Sequence, residues 1–160
     1  MRLNRTLITL SIGAALAAAP AMSFASSRGA ERTIVGAWTT AVTIVNCQTG
    51  QPVGAPPIIG MSTFNLGGTM AEWGGANPSL RSPSHGVWQR DHRWRDYPFT
   101  FMFYRYDPSG ALIGSQRIAG KAVLAADGDT YESIVTVEIV DLGNNVIAAA
   151  CATSVGTRIE

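Results

Sequence analysis

Apolar and polar residues alternate along most of the chain from Ile34 onward, and β-branched and aromatic residues are enriched between clusters of Gly, Asp, Asn and Pro. Period-two alternation of that kind is the mark of strands with one face buried. It predicts eight strands, at about 34–46, 58–65, 68–74, 85–91, 97–107, 110–126, 129–141 and 145–158, and no amphipathic helix. Four connections, Asn65-Leu66-Gly67-Gly68, Asp107-Pro108-Ser109-Gly110, Ala126-Asp127-Gly128-Asp129 and Asp141-Leu142-Gly143-Asn144-Asn145, carry hairpin-turn chemistry. In such turns Gly and Asn accept left-handed backbone, while Asp caps nearby amides.

Consecutive hairpins make a meander, and eight strands without covering helices must protect their two edges. Closing the first strand on the last does so, which predicts an all-β fold: an eight-stranded antiparallel up-and-down barrel. A two-sheet sandwich built from the same turns is the competing arrangement. In the barrel, connections alternate between the two ends. The longest two, Gln48 to Pro57 and Gly74 to Ser84, fall at the same end and rim a mouth.

Alternation also assigns faces. Arg117 and Lys121 on the outside leave Leu112, Gly114, Gln116, Ile118, Gly120, Ala122 and Leu124 inside. Glu132 and Glu138 outside put Tyr131, Ser133, Val135, Val137 and Ile139 inside. Several inward residues are small, leaving either a cavity or room that Phe99, Phe101 and Phe103 fill. The same alternation read inside out describes an outer-membrane barrel with these four charges in its lumen. The short middle strands argue against it, and no stable membrane insertion is expected.

Before the barrel, Arg2 and Arg5 precede an apolar run from Leu7 to Ala18, and Ser23-Phe24-Ala25 presents small residues where a signal peptidase reads. This is the pattern of a secretory signal peptide over residues 1–25, cleaved after Ala25 or, by the same rule, after Ala21. A tether over 26–33 and a single barrel domain over 34–160 follow. The expected destination is the periplasm or the outside of a bacterium.

Cysteine usage fits that compartment, because Cys47 and Cys151 are the two cysteines of the chain and paired thiols oxidise there. A Cys47–Cys151 disulfide is expected. Placing the two directly opposite each other on the first and last strands sets Trp38 against Glu160, one diagonal step from Arg158. The arginine would then stack on the indole.

The 160 residues hold 12 Lys and Arg against 11 Asp and Glu, and Lys121 is the one lysine. Losing Arg2 and Arg5 with the leader leaves the chain near neutral. Nucleic-acid binding, which needs clustered cations, is therefore not expected. The densest charged segment, Asp91-His92-Arg93-Trp94-Arg95-Asp96, balances its own charges at the end opposite the mouth. With no C-x-x-C and only His85 and His92 as imidazoles, no metal site is expected. No phosphate-binding loop or nucleophile motif appears, and no cofactor is expected.

Gly36-Ala37-Trp38 at the start of the first strand and Arg158 at the end of the last resemble the G-x-W motif and terminal arginine of lipocalin-like barrels in the calycin superfamily. The chain as a whole is similar to small secreted bacterial proteins of that shape. Asp129-Thr130-Tyr131 holds the residues of the lipocalin Thr-Asp-Tyr motif in another order. The resemblance implies a barrel closed at one end by Gly36, Trp38 and Arg158.

A mouth opposite that plug is where a ligand enters. The leading expectation is a barrel that binds a small, partly apolar ligand, with Trp73, Trp88, Phe101, Phe103, Gln116, Gly120 and Tyr131 as candidate contacts. A second is a cofactor-free isomerase, cyclase or lyase in the same cavity. There His85 or Glu72 moves a proton and Arg105 steadies developing charge. A third is a filled structural or interaction module. Oligomeric state has no signal in the sequence.

Overall fold

The segment Thr130–Val140 shows how the sequence becomes a barrel stave. Tyr131, Ser133, Val135 and Val137 are buried, while Glu132, Ile134, Thr136 and Glu138 between them are exposed. The computed structural model describes residues 32–75, 77–91 and 95–160. The expected signal peptide, the tether up to residue 31, and His92, Arg93 and Trp94 lie outside the described residues.

Eight strands follow in order: β1 (Gly36–Val45), β2 (Ile58–Phe64), β3 (Thr69–Gly74), β4 (Ser84–Trp88), β5 (Asp96–Tyr106), β6 (Leu112–Leu124), β7 (Thr130–Val140) and β8 (Val146–Arg158). Each pairs antiparallel with its sequence neighbours, and β8 returns to β1, so the sheet is a closed up-and-down barrel. The sandwich is thereby excluded. One 3-10 turn, Pro78–Leu80, lies in the β3–β4 loop, where the Asn77 side chain accepts from the Ser79 amide.

Turn carboxylates hold the hairpins. Asp107 accepts from the Ser109 and Ala111 amides at 2.8 and 3.0 Å, and Asp141 from the Asn145 amide at 2.8 Å. The Ser109 hydroxyl, donating to Asp107 at 2.6 Å, and these amides hold Asp107 below the usual carboxylate range, and the Asn145 amide and side chain do the same for Asp141.

The β1–β8 register differs by two residues from the one expected. Trp38 lies opposite Arg158, and Val45 opposite Cys151. Strand β1 ends at Val45 because Asn46 caps a turn, its side chain accepting from the Gln48 and Thr49 amides at 2.9 and 3.0 Å. That turn carries Cys47 back over β8, where it is bonded to Cys151 with 5.2 Å between Cα atoms. The clasp forms at the mouth end without the two cysteines sharing a ladder rung.

At the other end the barrel is plugged. Trp38 is fully buried and its Nε1 donates to the Ile34 carbonyl at 3.0 Å. The Arg158 guanidinium sits 4.2 Å from the indole centroid and donates to the carbonyls of Gly128, Val35 and Thr33. Burial pulls its pKa below the ordinary arginine value, with the Asp129 carboxylate working the other way. Gly36 gives the guanidinium its space: with φ at +142° it occupies a backbone region that disfavours side chains, and a Cβ there would lie 2.6 Å from Arg158 Nη1. Edge-to-face contacts then link Trp38 to Tyr131, Tyr131 to Phe64, Phe64 to Phe99 and Trp88, and Trp88 to Tyr97.

Facing follows the alternation with two corrections. Leu112, expected inward, is 43% exposed. Register shifts at Arg105/Tyr106 and Ile139/Val140 change the phase there, and Val140, rather than Ile139, is buried. Lys121, Glu132 and Glu138 are exposed, and Arg117 bonds the exposed Asn144, so the inside-out arrangement with a charged lumen does not form.

Candidate functional site

Large rings fill the plugged half of the barrel, but the inward positions above them on β1, β2, β7 and β8 are small or β-branched. Thr40, Val42, Gly60, Ser62, Ser133, Val135, Ala152 and Ser154 face Phe99, Phe101 and Phe103 of β5 across the interior. The rings do not reach all the way over. A cavity of about 130 Å³ remains, floored by Phe64, Met70 and Tyr131 and extending to Ile44, Ile58 and Arg81 at the mouth. Ile58, 40% exposed, marks where the cavity meets solvent. An apolar void of that order holds a small ring or a short alkyl chain.

Its polar groups are satisfied. The hydroxyls of Ser133 and Ser154 bond each other at 2.7 Å, and Ser62 bonds Tyr131 at 3.2 Å. No buried side-chain nitrogen or oxygen among the described residues is without a partner. The Tyr131 hydroxyl is pushed up to about 12 by burial, with the Ser62 hydrogen bond opposing and the negative charge of Glu72 adding to the rise. It stays protonated at physiological pH.

Among the described residues, two charged side chains line the cavity, Glu72 of β3 and Arg81 of the β3–β4 loop. They form an ion pair, Arg81 Nη2 to Glu72 Oε2 at 2.6 Å, with only 11% and 14% of the respective side chains exposed. The guanidinium carbon lies 3.6 Å from the Phe103 ring centroid. Gly74 again provides space, since a Cβ there would lie 2.6 Å from Arg81 Nη1. The arrangement repeats at the mouth what Gly36, Arg158 and Trp38 make at the plug: an arginine over an aromatic ring beside a glycine.

Of the residues singled out from sequence, Phe101, Phe103, Gln116 and Tyr131 line the cavity together with Glu72. The others do not. Trp73 is 40% exposed and opposite the outward Met61. Trp88 belongs to the plug, its Nε1 donating to the carbonyls of Asn65 and Thr69 at 3.0 Å. Gly120 shares a rung with Phe99 and Val135 but borders no free space, because a Cβ there would overlap the Ile134 carbonyl oxygen and the Val135 side chain.

The acid–base constellation expected of His85, Glu72 and Arg105 does not assemble. His85 is exposed on the outer face of β4, between Ala71 and Met102. Arg105, next to last on β5, makes a backbone bridge to Arg81 and does not line the cavity. The cavity's cation is Arg81, which sequence pattern concealed. It sits in a Pro-rich loop with no alternation to assign its direction, and the one local hint is Gly74, two residues beyond Glu72.

No group of three or more His, Cys, Asp or Glu side chains able to hold a metal occurs among the described residues. Comparison of the chain with protein-family models, with curated proteins and with solved structures returns no match.

Proposed function

We propose that this chain is an exported, lipocalin-like barrel that binds a small, partly apolar molecule in its interior cavity. The observation that carries the reading is the cavity itself: about 130 Å³ of space lined mainly by Val, Ile, Phe, Met and Ala, reaching solvent at one end. Interiors of proteins are packed to near-crystalline density, so space of this size, kept open by small residues opposite intact phenyl rings, is a departure that ligand binding accounts for.

Export is supported by the leader pattern and by the Cys47–Cys151 disulfide, which persists in an oxidising compartment. The lipocalin-like assignment is supported by the closed meander and by Arg158 over Trp38 beside Gly36. Binding, rather than catalysis, is favoured because, among the described residues, the ion pair lining the cavity is internally neutralised and the imidazole of His85 lies on the outer face.

Titration with toluene, a neutral single ring of the size the cavity holds, followed by amide shifts of cavity residues in 15N-labelled protein, tests the reading. Saturable shifts that are lost in Val137→Phe are expected, as Val137 lines the cavity. Toluene binding that is unchanged in that variant would place the apolar site elsewhere.

A further inference from the structure

Glu72 and Arg81 are the only ionised groups lining the cavity among the described residues, and they carry opposite charges. Both are fixed. The Glu72 amide donates to Ser84 Oγ at 2.8 Å, and the same hydroxyl donates to the Glu72 carbonyl at 2.7 Å. Arg81 Nε donates to the Ser82 carbonyl, and Ser82 is tied to β5 by its amide on the Tyr104 carbonyl and its hydroxyl under the Tyr104 amide, each at 3.0 Å. Gly74 and Phe103 bracket the guanidinium.

A guanidinium has five N–H donors, and three are engaged here: Nε on Ser82, and one each from Nη1 and Nη2 on Glu72. The carboxylate accepts one hydrogen bond at each oxygen from Arg81, leaving further acceptor capacity. The pair therefore offers a ligand both donors and acceptors, but no net charge. An entering carboxylate would meet Arg81 and Glu72 together, so attraction and repulsion offset while its own desolvation is uncompensated. An ammonium meets the mirror-image problem. A head group that both accepts and donates while remaining neutral loses the least. The other polar liners, Gln116 and the hydroxyls of Thr40, Ser62, Tyr131, Ser133 and Ser154, are neutral as well.

We propose that the Glu72–Arg81 pair selects ligands with an uncharged, hydrogen-bonding head group, such as a primary amide or an alcohol, and rejects carboxylates and ammonium ions on the same apolar body. This rests on the cavity being a binding site. Titrations of the full barrel at pH 7 with hexanamide, 1-hexanol, hexanoate and hexylammonium, followed by amide shifts of Gln116, Ser133 and Val137 in 15N-labelled protein, separate the two. The amide and the alcohol are expected to bind at least about tenfold more tightly than either ion.

In Glu72→Gln, which leaves Arg81 unneutralised, hexanoate is expected to overtake hexanamide. In Arg81→Gln, hexylammonium is expected to gain instead, and the amide spectrum of each variant reports whether it has folded. Hexanoate binding the unmodified barrel as tightly as hexanamide, or a preference unmoved by both substitutions, would overturn the selectivity while leaving the cavity reading standing. If none of the four probes shifts the cavity amides, the binding reading itself fails.

Discussion

Arg158 lies face-on to Trp38, guanidinium carbon 4.2 Å from the indole centroid, on the rung where β8 closes onto β1. The closure of the barrel and the burial of its largest side chain are thus one contact. The side chain also donates to three backbone carbonyls from separate segments, Thr33, Val35 and Gly128, tying the chain before β1 to the β6–β7 turn.

Replacing Arg158 by Met keeps an apolar stem over the indole but leaves those carbonyls without their donor. The expected loss is about 3 kcal/mol of unfolding free energy, read from urea denaturation. Arg158→Lys should recover part of it, since an ammonium replaces some donors but cannot span all three carbonyls. A loss under about 0.5 kcal/mol in Arg158→Met would show that the plug does not depend on the guanidinium.

Tyr131 gives a pH signature. Its hydroxyl titrates near 12 in the folded barrel against an ordinary value of 10.0. Between those values the folded state holds a proton that the unfolded state has released. The contribution is complete below pH 10 and lost as pH rises through 12, about 2 to 3 kcal/mol over the window. Tyr131→Phe should flatten that part of the alkaline decline in stability. Absorbance at 295 nm, titrated in parallel, should show one fewer late-titrating tyrosine in the variant.

The disulfide joins positions 104 residues apart. Constraining so long a loop stabilises by at most about 4 to 5 kcal/mol through the unfolded state. The double variant Cys47→Ser, Cys151→Ser should remain a barrel by circular dichroism but unfold at clearly lower urea, by about 2 kcal/mol or more. An unshifted midpoint would mean that the unfolded chain is already restrained in the same way.

Val137→Phe should occupy the cavity from its β7 wall without disturbing the plug. Because it adds apolar volume to existing space, thermal stability should hold to within about 1 kcal/mol. A fall of several kcal/mol by calorimetry would mean that the phenyl ring is forced into packed neighbours instead of open space.

The architecture was legible because it is written in period two. Eight alternating segments and turns rich in Gly, Asp and Asn specify a meander, and Gly36, Trp38 and Arg158 mark its ends. Register was less so: the cysteine pair suggested a shared rung, but the cap at Asn46 bends Cys47 out of β1 and shifts the pairing by two residues. Alternation also identified Gln116 and Tyr131 as inward, while Phe101 and Phe103 were candidates on a strand whose facing the pattern left open. It failed where space depends on neighbours across the barrel, as at Gly120, whose missing side chain is filled by Val135. It was silent on Arg81, whose direction comes from a loop fold and from the gap at Gly74.

The most direct test of the binding account is the native mass of the protein isolated from the cells that make it, compared with its mass after denaturation. The account predicts a small adduct on the native barrel that is released on unfolding and is missing from Val137→Phe. A native mass equal to the denatured mass, together with no uptake of any neutral apolar probe, would contradict it and make the cavity a packing feature of a structural barrel.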